Sequence, residues 1–368
     1  MSDVKTSIVQ FGTSRFLQAH ADLFFSEGTP ARAITVVQSS GDPARAARLG
    51  ALAAEGGFPI RVRGQQDGKV VDEERRVTSV RRTLSTASDW AELSRVITEE
   101  AEAILSNTGD SGYEPKPADD QARPDQAMSY PAKLFHLLAA RHAGGGKPLT
   151  IFPMELIPNN GRVLKARVLE IAAGQKADPV LIDWLNACLW VNSLVDRIVS
   201  EPIDPVGAVA EPYALWAIEA QDGLALPVVH PSVQLVEDLE EIERLKLHIL
   251  NLGHTAMAAF WMAGDANPDV IVRDLLAGEV GAKVKDVMAS EVLPGFALRG
   301  LGDKAEAYLA VTLERFANPF LDHRIADIAQ NHGQKLERRI GAFLSWVREV
   351  QPDYAAPVLD GLCAREEV

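Results

Sequence analysis

Cysteine is nearly absent from this chain. Cys188 and Cys363 are the only two, neither in CxxC spacing nor beside a histidine pair. That excludes a disulfide framework and a thiolate zinc site as organising devices, and a reducing cytoplasm is the simplest expected home. Long apolar runs are missing too. No stretch reaches the roughly 18 apolar residues of a membrane span, and Met1 to Gln10 carries no signal-peptide pattern. Basic residues are outnumbered, 37 Lys and Arg against 51 Asp and Glu, for a formal net charge of −14. Without clustered cations to neutralise phosphates, a nucleic-acid partner is not expected. Paired-carboxylate and Ser/His/Asp signatures are absent, so hydrolase and lyase readings lack support. A G-x-G-x-x-G fingerprint is absent as well.

What is present is an ordinary globular mix, 47% hydrophobic and 24% charged over 368 residues. At roughly 150 residues per domain this suggests two domains. Ser7-Ile-Val-Gln-Phe-Gly12 reads as an apolar strand ending in glycine. Thr13 to His20 is helix-like and runs on to Phe25, and Ala33 to Val37 is a second β-rich run. Strand, turn, helix and strand make a βαβ unit, hence a parallel sheet with a right-handed crossover. Further elements are helices at 90–97 and 131–142, a strand at 149–152 and a loop at 109–128. After residue 237 the pattern is almost wholly helical, at 239–252, 255–262, 270–276, 283–291, 304–316 and 334–347. The expected fold class is therefore α/β: a Rossmann-like domain over 1–235 with a parallel sheet, and a mainly α-helical domain over 236–368.

Several constellations could carry chemistry. Gly12 allows backbone to approach a dinucleotide pyrophosphate seated on the following helix; it serves a plain tight turn equally well. At the end of the second strand, Gln38 and Ser39 can hydrogen-bond a ribose. Asp42 comes slightly late, and Arg45 and Arg48 follow, so NAD and NADP both stay open. Lys246, Asn251 and His254 fall at roughly 0°, 140° and 80° around a helix, within one broad face. Lysine is a general base only when burial lowers its pKa toward neutrality. Asparagine can donate to a developing alkoxide, and histidine can orient the lysine or the substrate. From spacing alone, a surface lysine, a capping asparagine and a core histidine is the favoured reading. Glu155 to Gly161 is a turn that could also present amides to a polyhydroxylated ligand. Asn192 to Ile198 holds Asp196 and Arg197 inside an apolar run, where structural pairing is the plainer account. Arg315 to His323 gathers polar groups at a helix end, where capping would explain them.

Taken together, these pieces resemble the mannitol dehydrogenase family, the polyol-specific long-chain dehydrogenases/reductases. Gly12 to His20 is similar to its entry motif. Lys246, Asn251 and His254 match its Lys, its Asn five residues on and its His three beyond. Asn192 to Ile198 resembles its Asn-Ser-(Met/Leu)-Val-Asp-Arg-Ile segment, and Arg315 to Pro319 its Arg-Phe-x-Asn-Pro. One glycine of its Leu-Asn-Gly-x-His pattern is here Leu252, and the chain is shorter than typical members. Val36–Gln38, Ser106–Thr108, Ser129–Lys133 and Glu155–Ile157 are similar to its sugar-acid reductases.

The resemblance implies hydride transfer between NAD, with NADP not excluded, and a sugar acid such as altronate with its keto form tagaturonate. Fructuronate or a hexitol is the alternative substrate, and a non-catalytic cofactor- or sugar-acid-binding regulator is the alternative of another class. Lys246 is implied as general acid/base, with no metal. Asn251 and Asn160 would steady the oxyanion. His254 would bind a substrate hydroxyl or orient Lys246, and Asp196 would tune the lysine. Gly12, Thr13, Arg15, Phe16, Gln38, Ser39, Ser106 and Asn107 would hold the cofactor; Asn192, Arg315 and His323 would contact substrate. The site would lie in the cleft between the domains. The implied partners are a small sugar acid or polyol in a monomer or small homo-oligomer, with no nucleic acid and no membrane.

Overall fold

The computed structural model describes residues 5–364; Met1–Val4 and Arg365–Val368, and so the start of the segment inspected for a leader, lie outside the described residues. The chain forms two compact units, Met1–Val62 with Glu73–Leu239, and Arg63–Asp72 with Glu240–Val368.

The first unit is built on a six-stranded sheet. Its strands are β1 (Ile8–Phe11), β2 (Ile34–Gln38), β5 (Val80–Ser85), β6 (Ala103–Ser106), β7 (Thr150–Pro153) and β8 (Leu189–Trp190). They lie in the order β5-β2-β1-β6-β7-β8, and every neighbouring pair is parallel. This is the doubly wound order, with its reversal between β1 and β6. Strands covered on both faces read as continuous apolar runs; Ile8, Val9, Phe11, Ile34 and Val37 are all fully buried. Val9 and Phe11 join a core with Leu93, Val96, Leu134 and Leu137 from helices Trp90–Glu99 and Tyr130–Ala143. Each such side chain contributes about 1.5–3 kcal/mol on burial. Helix Tyr130–Ala143 starts where Ser129 Oγ accepts from the Ala132 N–H at 3.4 Å, with proline in its first turn, and stops at Gly144.

The single helix expected from Thr13 to Phe25 is two helices, Arg15–Gln18 and Ala21–Glu27. The break falls at His20, whose backbone leaves helical geometry (φ −125°, ψ −102°). Its buried Nε2 donates to the Leu215 carbonyl at 2.9 Å, and burial lowers the imidazole pKa to about 3. A tertiary hydrogen bond thus overrides local propensity.

Two smaller sheets complete the strands. One has the order β10-β11-β3-β4, from β3 (Phe58–Gln66), β4 (Lys69–Val77), β10 (Val199–Pro202) and β11 (Ala208–Ala210). The other has the order β13-β12-β9, from β9 (Ser193–Asp196), β12 (Leu215–Glu219) and β13 (Val233–Val236). The β3–β4 hairpin turns on Asp67-Gly68, both at positive φ, the usual two-residue hairpin chemistry. Its tip groups with the second unit. There the Glu314 carboxylate accepts from the Asp67 and Gly68 N–H groups at 3.1 and 2.7 Å, and the Arg63 guanidinium lies 4.2 Å over the Phe320 ring.

Apart from that tip, the second unit is helical. One rod runs through Leu239–Leu245, a π-helical turn Lys246–Asn251, and Leu252–Met262. Helices Glu279–Val287, Gly302–Phe316 and Ala342–Arg348 pack around it on a core that includes Met257, Phe296, Phe316 and Phe343. Among the described residues no helix is long and apolar enough to cross a membrane.

Candidate functional site

The reversal point of the large sheet is where an open α/β sheet offers a crevice. Gly12 stands there at φ +131°, its N–H donating to the Val37 carbonyl at 3.0 Å. The Asn107 N–H donates to the Phe11 carbonyl at 2.9 Å. A Cβ on Gly12 would lie 2.6 Å from the Asn107 carbonyl oxygen and 2.8 Å from Leu17 Cδ1. Glycine is therefore required sterically and conformationally, by the close approach of the chain's own Asn107 and Leu17. The expected helical seat for the pyrophosphate is reduced, because the helix after Thr13 has only four residues. Arg15, expected at the cofactor, bonds to a neighbouring loop. Its guanidinium donates to the Ile203 and Gly207 carbonyls at 2.7 and 2.8 Å and to Asp204 Oδ1 at 3.1 Å, so it ties down the β10–β11 loop. Phe16 stacks on His20 with ring centroids 4.8 Å apart.

Gln38, at the end of β2, also turns inward. It is buried, donates to Ser40 Oγ at 2.9 Å and accepts from Ser85 Oγ at 2.8 Å, so it shapes the loop. Ser39 is half-buried, and its carbonyl is held by three donors: Lys133 Nζ at 2.8 Å, Gln126 Nε2 at 2.9 Å and Thr86 Oγ1 at 3.2 Å. Burial brings the Lys133 ammonium down to about 8. Asp42 caps the next helix, accepting from the Ala44 N–H at 2.8 Å. Lys133 entered from the sequence only as the end of the Ser129–Lys133 segment, with no role expected of it.

The carboxyl ends of β6 and β7 meet at Glu155, which is 3% exposed. Its carboxylate accepts from Ser106 Oγ, Thr108 N–H, Thr108 Oγ1, Tyr113 OH and Met154 N–H, at 2.7–3.1 Å. Burial and this carboxylate push the Tyr113 phenol well above its ordinary pKa, which keeps it a donor. Asn107 Nδ2 donates to the Met154 carbonyl at 2.7 Å. Ser106 and Asn107 therefore fix the loop that follows β7.

The Asn160 carboxamide has no hydrogen left for an oxyanion. Its Nδ2 faces the carbonyls of Pro153, Glu155 and Ser193 at 2.8–3.1 Å, and its Oδ1 accepts from the Gly161 and Ser193 N–H groups. It is a buried staple between β7, β9 and helix Asn160–Gly174. Asn192, expected at the substrate, bonds within its own unit. Its Oδ1 accepts from the Arg162 N–H at 3.1 Å, satisfying a helix-start donor, and its Nδ2 donates to Glu219 at 2.6 Å. It lines a 520 Å³ cavity with Arg162, Lys165, Trp190, Glu219 and Glu237. Arg197 is buried on the Ala19 and Glu211 carbonyls, and the neighbouring Asp196 is buried at the end of β9.

In the helical unit, Lys246 to Asn251 forms a π-helical turn. An i→i+5 hydrogen bond lengthens the turn, so Asn251 follows Lys246 by roughly one turn and the arc expected for a regular α-helix narrows. Lys246 and Asn251 are half-buried, between the buried Leu245, Ile249 and Leu250. His254 is buried and stacks on Phe316 at 4.1 Å, with the edge of His323 at 5.4 Å. Burial lowers its pKa well below the ordinary value, and His323, Arg339, Arg315 and Lys335 push in the same direction. The imidazole is therefore neutral. Gly253 admits Met288 and Phe316, which would lie 2.9 and 3.3 Å from a Cβ there. Leu252, the departure from the family pattern, is wholly buried in the core. Arg315 is buried and His323 half-buried. Arg339 escaped the sequence reading because Arg338-Arg339 looks like a solvated charge pair. In the structure its Nη1 donates to the Asn251 carbonyl at 3.3 Å and to Thr255 Oγ1 at 3.0 Å. Among the described residues no group of three or more His, Cys, Asp or Glu side chains is placed to hold a metal ion.

Residues 6–228 match the mannitol dehydrogenase Rossmann domain, and residues 238–357 match the mannitol dehydrogenase C-terminal domain. An altronate oxidoreductase of Klebsiella pneumoniae (strain 342) is 31% identical over 364 residues, covering 90% of this chain and 73% of the relative. One of Bacillus subtilis (strain 168) is 30% identical over 362 residues with the same coverage. Among solved structures, a substrate-free D-sorbitol dehydrogenase superposes with a TM-score of 0.78 at 20% identity, covering 94% of this chain and 77% of that one. Pseudomonas fluorescens mannitol 2-dehydrogenase, in a ternary complex with NAD and D-mannitol, gives 0.73 at 19% identity, covering 98% and 78%. These two likenesses show the shared fold. The chain belongs to the mannitol dehydrogenase family and is an NAD(P)-dependent dehydrogenase acting on a CH–OH group.

Proposed function

We propose that the chain interconverts a sugar acid and its keto form, an altronate/tagaturonate type of pair, with Lys246 as general acid/base. The observation that carries this is the π-helical turn Lys246–Asn251, which narrows the arc between Lys246 and Asn251 on the rod that continues to the neutral His254. In the oxidative direction Lys246 Nζ takes the substrate hydroxyl proton, and in the reductive direction it returns a proton to the alkoxide. Asn251 makes no side-chain hydrogen bond among the described residues, and its amide donates to the developing oxyanion. A preorganised donor of this kind is worth about 3 kcal/mol. Neutral His254 orients a substrate hydroxyl and adds no positive charge beside the lysine. The nicotinamide, when bound, accepts or supplies the hydride. Gly12 leaves room for the dinucleotide backbone and Ser39 offers a hydroxyl to the adenosine ribose, with NADH taken in preference to NADPH. The altronate oxidoreductase relatives, at about 30% identity, favour a sugar acid over a hexitol.

The test is a panel of hexuronates and hexitols with NADH and NADPH. Tagaturonate should be reduced, and Lys246→Met should lower kcat by about a thousandfold or more while NADH still binds. A purified chain that turns over no hexuronate, aldonate or hexitol with either cofactor sinks this reading.

A further inference from the structure

The helical unit gathers positive charge inside a chain of net charge −14. Around buried His254 stand His323, Arg315, Lys335 and Arg339. Lys335 and Arg339 lie four residues apart on one continuous helical run, His332–Leu336 and Glu337–Gly341. Like charges at that spacing repel, and Arg339 indeed helps depress the Lys335 pKa, after burial. Neither side chain meets a carboxylate among the described residues. Lys335 Nζ donates to the Ile328 carbonyl at 2.7 Å; Arg339 Nη1 donates to the Asn251 carbonyl and to Thr255 Oγ1. The half-buried guanidinium thus uses one nitrogen for support, leaving the Nε/Nη2 edge for a planar acceptor. That edge matches a carboxylate in the bidentate manner. The supporting carbonyl belongs to Asn251, so the fork is tethered to the residue proposed to hold the alkoxide. Two partly desolvated cations without a counter-charge are costly, and an anionic ligand removes that cost.

We propose that Arg339, with Lys335 beside it, receives the carboxylate of the substrate and makes the site selective for sugar acids over uncharged hexitols. This rests on the dehydrogenase reading above. The plainer alternative is a cross-link, in which Arg339 only fastens its helix to the Lys246–Asn251 turn.

Binding, measured apart from turnover, separates the two. Isothermal titration of the full chain with NADH present, which cannot accept a hydride from either alcohol, gives affinities for an altronate-type hexonate and for a hexitol such as mannitol. In Arg339→Gln the hexonate-to-hexitol affinity ratio should fall about tenfold or more, the expected loss of a charge-assisted pair, and Arg339→Lys should recover part of it. In the unmutated chain, raising the salt concentration should weaken hexonate binding much more than hexitol binding, a measurement that stands even if a variant misfolds. A ratio unchanged within twofold, both ligands weakening together, or a native chain that binds hexitol but no hexonate overturns the proposal. Hexonate binding that depends on Arg339 without any turnover supports this anion site and refutes the dehydrogenase reading alone.

Discussion

Asp22 is the clearest place to test the energetics of the first unit. It lies in helix Ala21–Glu27 at 1% exposure, its Oδ1 and both polar atoms of the Gln10 side chain lacking a well-formed hydrogen bond. Burial raises its pKa from 3.8 to about 7, and the weak pull of Gln10 offsets this only in part. Because the folded pKa is raised, the contribution to stability is full below the unfolded pKa and is lost as pH rises toward the folded one. Each pH unit between them costs about 1.4 kcal/mol, so the loss reaches about 4 kcal/mol by pH 8. About 3 kcal/mol of it accrues between pH 5 and pH 8. Asp22→Asn keeps the shape and removes the ionisation. Relative to the native chain it should therefore gain about 3 kcal/mol over that interval, roughly a hundredfold in the local opening equilibrium. Hydrogen exchange across residues 5–27, read in both proteins at pH 5, 6, 7 and 8, reports this unit locally. A difference between the two proteins that stays flat within 1 kcal/mol across those pH values would refute the reasoning.

Two further substitutions probe the crevice of the sheet. Gly12→Ala places a methyl 2.6 Å from the Asn107 carbonyl at a φ that alanine avoids, so NADH affinity, followed by fluorescence titration, should drop at least about tenfold; unchanged affinity would remove Gly12 from the cofactor cradle. Glu155→Gln turns an amide NH2 toward a pocket built from five donors. Urea unfolding should show a loss of about 2–4 kcal/mol, and a change under 0.5 kcal/mol would mean that the web around Glu155 contributes little.

The βαβ start was legible because its signals are local: an apolar run, a glycine, a helix-like stretch and a second apolar run. The helical half was legible for the same reason, its apolar spacing repeating along the chain. The β3–β4 hairpin was not. β4 reads Lys69-Val-Val-Asp-Glu-Glu-Arg-Arg-Val77, largely exposed and charged, and only pairing with β3 makes it a strand. β5 passed unnoticed too, since its place beside β2 depends on residues more than 40 positions away.

Candidate residues divide along the same line. The sequence could name Asn160, Asn192, Arg15 and Gln38 as polar groups in suggestive segments. It could not tell that each hydrogen-bonds carbonyls, N–H groups or neighbouring side chains of its own fold. Arg339 had the opposite fate, looking ordinary in the chain, and Lys133 and Glu155, named there only as ends of segments, take their places as hydrogen-bonding centres once folded.

By itself, then, the sequence determined the two-part α/β and helical plan, the glycine at the first strand's end and the order of Lys246, Asn251 and His254. Periodicity and residue chemistry are properties of the chain, and they survive without knowledge of distant partners. Only the tertiary structure decided which polar groups stay available to a ligand, that the Lys246–Asn251 turn is π-helical, and that cations surround a neutral His254. Those outcomes depend on which donor finds which acceptor across the fold, and on how deeply each charge is buried. Both are set by contacts between residues far apart in sequence.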